Sequence, residues 1–119
     1  MRVLAFEDSY DIEALLTAGG VDIKSLEIIQ RWDSDQFLVH IEQFAPDVLL
    51  LDHFMPPTSG LDVLKGVTEA AANGKLERPS RIVGMSSARF ANDAMLAAGA
   101  DDAIVKPRLA TLDLWPRPE

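Results

Sequence analysis

Residues 46–60 read PDVLLLDHFMPPTSG. Four apolar residues, Val48 to Leu51, run into a single carboxylate, Asp52, and two prolines follow almost at once. The run is too short for a helix, and its bounding prolines make it a strand. Continuous apolar character, in place of alternation, marks a strand covered on both faces, as in a parallel sheet. Leu49 to Leu51 then anchor a rigid central strand that holds Asp52 out at its end.

Similar short runs recur at Val3–Phe6, Leu26–Ile29, Ile82–Met85 and Ala103–Val105, which predicts five strands. Between them apolar residues take helical spacing: Ile12, Leu15 and Leu16; Phe37, Leu38, Ile41 and Phe44; Leu61, Leu64, Val67 and Ala71; Ala94, Met95 and Ala98. Gly19-Gly20, Ala45-Pro46, Asn73-Gly74 and Gly99 supply the stops. Strict alternation predicts a doubly wound α/β fold, a five-stranded parallel sheet with helices on both faces. Ligands of such sheets bind beyond the carboxyl ends of the strands.

The 119 residues, 48% hydrophobic, suit one domain with a genuine core. Residues 1–107 read as that domain and 108–119 as a short C-terminal tail with room for a residual helix. There is no cysteine, no run near the roughly 18 apolar residues of a membrane span, and no basic-then-apolar leader. A cytoplasmic location without membrane contact is the expectation. Eleven Lys/Arg against nineteen Asp/Glu leave a formal charge of −8, which argues against direct nucleic-acid binding.

The residues just after each run carry the chemistry. Glu7-Asp8 follow the first, Asp52 ends the third, Ser86-Ser87 follow the fourth, and Lys106-Pro107 the fifth. Three carboxylates at neighbouring strand ends repel one another unless a cation joins them. Oxygen-only ligands favour a hard ion, Mg²⁺. Met55-Pro56 and Gly60 shape the loop behind Asp52.

The stretches FEDS (6–9), PDVLLLDHFMPPTSG, VGMSSA (83–88) and GADDAIVKP (99–107) together resemble the receiver domain of response regulators in two-component signalling, from Val3 to about Pro107. The resemblance implies a flavodoxin-like receiver fold in which Asp52 accepts a phosphoryl group from a sensor histidine kinase or phosphotransfer protein. It implies Mg²⁺ held by Asp8, Asp52 and the backbone carbonyl of Phe54, with Glu7 reaching it through water. Lys106 and the Ser86 hydroxyl would contact phosphoryl oxygens. Phe54 and Ala88 correspond to the two positions that adjust phosphoryl lifetime. Neither side chain can hydrogen-bond an attacking water.

Each residue alone has a plainer reading. Asp52 suits a strand-end cap, Glu7-Asp8 a helix N-terminal acidic pair, and Ser86 an N-cap. Lys106 is harder to dismiss, since a cation at a buried strand end needs an anionic partner. His53 and His40 lack a second ligand and stay outside the site. The aromatics Trp32 and Trp115 read first as packing or edge-covering residues.

The chain departs from the family pattern at its C-terminus. The tail RLATLDLWPRPE holds about two helical turns before Pro116, so the last helix is abbreviated or missing. Leu109, Leu112 and Trp115 can face inward over it. Ala103 stands where an aromatic switch residue is common in the family. These changes point to an unknown downstream protein bound near the fourth helix and tail, with Phe90 and Trp115 as apolar anchors. Two other readings compete: a phosphorylation-independent docking module for a kinase, clock or scaffold partner, and an aspartate-nucleophile phosphatase. The phosphatase needs a second carboxylate where this chain has Phe54.

Overall fold

The computed structural model describes residues 1–119. Five strands, β1 (Arg2–Phe6), β2 (Glu27–Arg31), β3 (Val48–Asp52), β4 (Arg81–Met85) and β5 (Asp102–Ile104), form one parallel sheet in the order β2-β1-β3-β4-β5. Four helices connect them: α1 (Ile12–Ala18), α2 (Phe37–Phe44), α3 (Gly60–Ala72) and α4 (Arg89–Ala97). Short 3₁₀ helices lie at Ile23–Ser25 and Lys106–Thr111. The expected doubly wound five-stranded architecture is present, with the last helix reduced to the second 3₁₀ segment.

Side chains of a strand point alternately to its two faces, and here the alternation sorts the core into two layers. Leu4, Phe6, Leu49, Leu51 and Ile82 face Ile41 and Phe44 of α2, Val63, Leu64 and Val67 of α3, and Met95 of α4. Val3, Ala5, Val48, Leu50, Val83 and Met85 face Ile12 and Leu16 of α1 together with Leu109, Ala110 and Trp115. Register aligns the rows, with Leu4 opposite Leu49 and Leu49 opposite Ile82. All five residues of β3 are buried. Edge position explains the exceptions: β2 alternates exposed and half-buried residues, and β5 is half-buried throughout. Leu26 is lost from β2 because its amide closes the preceding 3₁₀ turn on Ile23 O at 3.0 Å.

Close approaches explain two glycines. A Cβ on Gly84 would lie 2.9 Å from that of Met95, so α4 seats tightly on β4 only because position 84 has no side chain. A Cβ on Gly19 would lie 2.1 Å from that of Ala110, which is how the tail reaches the end of α1. That tail is tied down further. Trp115 Nε1 donates to Leu109 O at 2.9 Å, Arg117 Nη1 donates to Gly19 O at 2.7 Å, and Asp22 N donates to Pro116 O at 3.0 Å.

Trp115 is therefore not an anchor presented to a partner. It is only 4% exposed and fills the layer over β1, β3 and β4 beside α1. Trp32 differs in the opposite direction, standing largely exposed after β2. No helix is long and apolar enough to cross a membrane. Trp115→Ala is expected to lower unfolding stability in urea by about 3–5 kcal/mol, as for a truncated core aromatic. A change below about 1 kcal/mol would contradict its place in the core.

Candidate functional site

Parallel strands bring every candidate group to one edge of the sheet. Glu7 and Asp8 leave β1, Asp52 ends β3, Ser86 leaves β4, and Lys106 follows β5. Glu7 has no exposed surface and Asp52 is 2% exposed. Lys106, also buried, places Nζ 2.9 Å from Glu7 Oε1 and 3.3 Å from Asp52 Oδ2. Its ammonium also lies 5.2 Å from the centre of the Tyr10 ring, a cation–π distance. The anionic partner expected for Lys106 is thus Asp52 and, closer still, Glu7.

Two anions against one cation leave the buried cluster net negative. Burial, followed by the negative charge of Glu7, raises the Asp52 carboxyl from the ordinary 3.8 to about 6, with Lys106 pulling the other way. For Lys106, burial favours the neutral amine, but the hydrogen bonds and charges of Glu7 and Asp52 outweigh it and hold the ammonium above its ordinary value.

The donor set fits a hard cation. Glu7, Asp8 and Asp52 offer carboxylate oxygens that all lie within 4.8 Å of one another. Asp52 Oδ1 is buried with no hydrogen-bond partner, the kind of orphaned atom that otherwise costs stability. Asp8 is exposed and can swing, bound only by the Ser9 hydroxyl, which donates to Oδ1 at 3.2 Å.

Local structure explains why the groups stay put. Glu7 Oε2 accepts the amides of Ser9 at 2.7 Å and Tyr10 at 3.3 Å, so it caps its own loop, while the N-cap of α1 is Asp11. Ser86 does not cap α4: the N-cap position is Ala88, without a side-chain bond. The Ser86 hydroxyl accepts the Ala88 amide at 3.1 Å and keeps its own proton to donate. Gly60 is demanded by proximity, since a Cβ there would lie 2.2 Å from Asp52 O. Met55 is buried behind Asp52, Pro56 precedes Pro57 in the exposed loop, Ala103 sits mid-β5 opposite Gly84, and Pro107 is in the first turn of the tail's 3₁₀ helix.

Three polar residues that sequence reasoning missed hold the loops. Gln30 donates to Glu7 O at 3.0 Å and Tyr10 O at 2.7 Å and accepts from Ile12 N at 2.9 Å. Buried Ser34 exchanges hydrogen bonds with the backbone of Thr58, donating at 2.7 Å and accepting at 2.8 Å. Buried Asn92 donates to Ser86 O at 3.1 Å. Nothing in their spacing signals these roles, because their partners are backbone groups of other loops. His53, half-buried beside Asp52, packs edge-on against Phe54 with ring centres 4.7 Å apart.

A carboxyl with a folded value above its unfolded one binds its proton more tightly when folded. The contribution of Asp52 to stability is therefore lost as pH rises between 3.8 and about 6. With chelator present, Asp52→Asn is expected to exceed the native chain by about 1–3 kcal/mol at pH 7.5, at ~1.4 kcal/mol per pH unit, and to match it near pH 4. Urea unfolding across that range checks this; a variant no more stable at pH 7.5 would refute it.

No family model matches the chain. Among curated proteins, the transcriptional regulatory protein DltR of Streptococcus agalactiae is 36% identical over 107 residues, which cover 90% of this chain and 46% of DltR. The chain thus spans about half the length of the curated relatives it matches. Among solved structures, the response regulator domain of Thermotoga maritima CheB is 26% identical with a TM-score of 0.67, covering 96% of this chain and 83% of that one. The signal receiver domain of the putative response regulator NarL from Mycobacterium tuberculosis shares the fold, with a TM-score of 0.70 at 24% identity over 92% of this chain and 86% of that one. With sequence relatives, fold and the array of acidic, hydroxyl and lysine groups in agreement, the chain belongs to the receiver domains of response regulators.

Proposed function

We propose that this domain accepts a phosphoryl group on Asp52 from a phosphohistidine of a sensor histidine kinase or phosphotransfer protein, with Mg²⁺ as cofactor and a cytoplasmic location. The carrying observation is the buried, unpartnered Oδ1 of Asp52 set among Glu7, Asp8 and Lys106. A carboxylate that attacks phosphorus approaches an anion through a loose transition state, so catalysis is chiefly positioning and countercharge.

Each residue then has a part. Near neutral pH Asp52 is largely ionised, and one of its oxygens forms the new bond to phosphorus as the donor's P–N bond breaks. Lys106, 3.3 Å from Asp52 Oδ2, offsets charge on a phosphoryl oxygen, and the Ser86 hydroxyl donates to another. Glu7, Asp8, Asp52 and the Phe54 carbonyl would hold Mg²⁺, which supplies the remaining positive charge. Glu7 also keeps Lys106 in place through the 2.9 Å contact. The acyl phosphate would be read by a downstream protein, with Phe90 as the exposed residue left from the expected anchor pair.

Intact-protein mass after incubation with acetyl phosphate tests this reading. A Mg²⁺-dependent gain of one phosphoryl group, absent in Asp52→Asn, is the expected result. No gain from acetyl phosphate or any histidine-phosphorylated donor would leave the phosphorylation-independent docking module as the better account. Because Phe54 and Ala88 cannot orient a water, the purified acyl phosphate is expected to persist longer than that of a receiver with hydrogen-bonding side chains at both positions. Decay in Mg²⁺ followed by mass checks this, and faster loss would contradict it.

A further inference from the structure

Phe54 and Phe90 are 57% and 68% exposed, yet they are not scattered surface residues. Their ring centres lie 6.3 Å apart at 68°, and the half-buried His53 ring packs edge-on against both, at 4.7 Å and 6.5 Å. Such contacts hold the two rings in defined positions. Phe54 lies two residues beyond Asp52, and Phe90 is the second residue of α4, four beyond Ser86. Tyr10, also exposed, belongs to the loop after β1, and its ring lies 5.2 Å from Lys106 Nζ. Aromatic rings thus follow β1, β3 and β4 at the sheet edge where the buried carboxylate lies, on two loops and the first turn of α4, with Phe54 and Phe90 joined through His53.

In-line transfer adds a directional constraint. Attacking and leaving atoms lie on opposite sides of phosphorus, so with Asp52 buried at the strand end the leaving group departs away from the core, on the edge of the sheet where Phe54 and the start of α4 also lie. A leaving group without a flat apolar surface gains little there. A planar aromatic one gains edge or face contacts, and a protonated ring gains cation–π attraction as well.

We propose that the Phe54–Phe90 pair recognises the leaving group of the phosphodonor and selects an N-phosphorylated imidazole over non-aromatic donors; this rests on the phosphoacceptor reading of Asp52. In the step, an Asp52 oxygen bonds to phosphorus as the P–N bond breaks. The electron pair passes to the ring nitrogen. With a proton already on its other nitrogen, the donor leaves as neutral imidazole, so the protein supplies no proton.

The test uses two small P–N donors, phosphoimidazole and phosphoramidate, which differ in releasing imidazole or ammonia. Phosphorylation rates of the full chain are followed by intact mass for the native protein, Phe90→Ala and Phe90→Tyr. The phosphoimidazole-to-phosphoramidate rate ratio is expected to fall about three- to tenfold in Phe90→Ala and to recover in Phe90→Tyr, which keeps the ring. A ratio that stays unchanged in Phe90→Ala, because neither rate moves or both fall alike, overturns the inference while Asp52 remains the acceptor. If phosphoramidate, phosphoimidazole and every histidine-phosphorylated donor leave the native Asp52 unmodified, the phosphoacceptor reading fails and this inference with it.

Discussion

The buried trio of Glu7, Asp52 and Lys106 is the constraint around which the domain is arranged. Taking Lys106 out of it would strand two carboxylates in low dielectric, which is far costlier than the net worth of either pair. Lys106 at 2.9 Å from one carboxylate and 3.3 Å from the other is held by both. That requires β1, β3 and the end of β5 to stop at one level, which the parallel register provides. The trio is short of positive charge by one. A site so unbalanced is poised for a further cation, and its instability without one is part of what prepares it to bind.

Most of the fold was legible because both faces of the sheet are covered. Val48 to Leu51 read as an interior strand since Leu49 and Leu50 are buried against opposite layers, so neither could be polar. The edge strands were less sharply defined. Leu26 looks like strand by composition but is committed to a 3₁₀ turn, a choice made by a backbone hydrogen bond that composition does not encode.

The site was legible in its residue types and only partly in its connections. Asp52, Lys106, Glu7 and Asp8 stood out as charges placed directly after apolar runs. That Glu7 is fully buried and is the nearer partner of Lys106 was not readable, because it depends on how two distant loops meet. Gln30, Ser34 and Asn92 escaped for the same reason: each bonds backbone atoms elsewhere in the chain. Trp115 bears out its first reading as an inward-facing packing residue, and only its second reading, as a partner anchor drawn from the altered C-terminal face, fails. The tail covers the layer beside α1 through a single large indole in place of a regular helix.

The two-sided burial of β3 has a further consequence. Leu49 and Leu51 grip one helical layer and Leu50 grips the other, so the strand that ends in Asp52 behaves as a common axle. A small tilt at its end cannot be absorbed by one layer alone in a close-packed interior. Both layers feel it together. Of the helices, α4 is fastened to the strand-end turn by the Asn92 to Ser86 bond and the close Met95–Gly84 contact, so its position is tied to that of the strand ends.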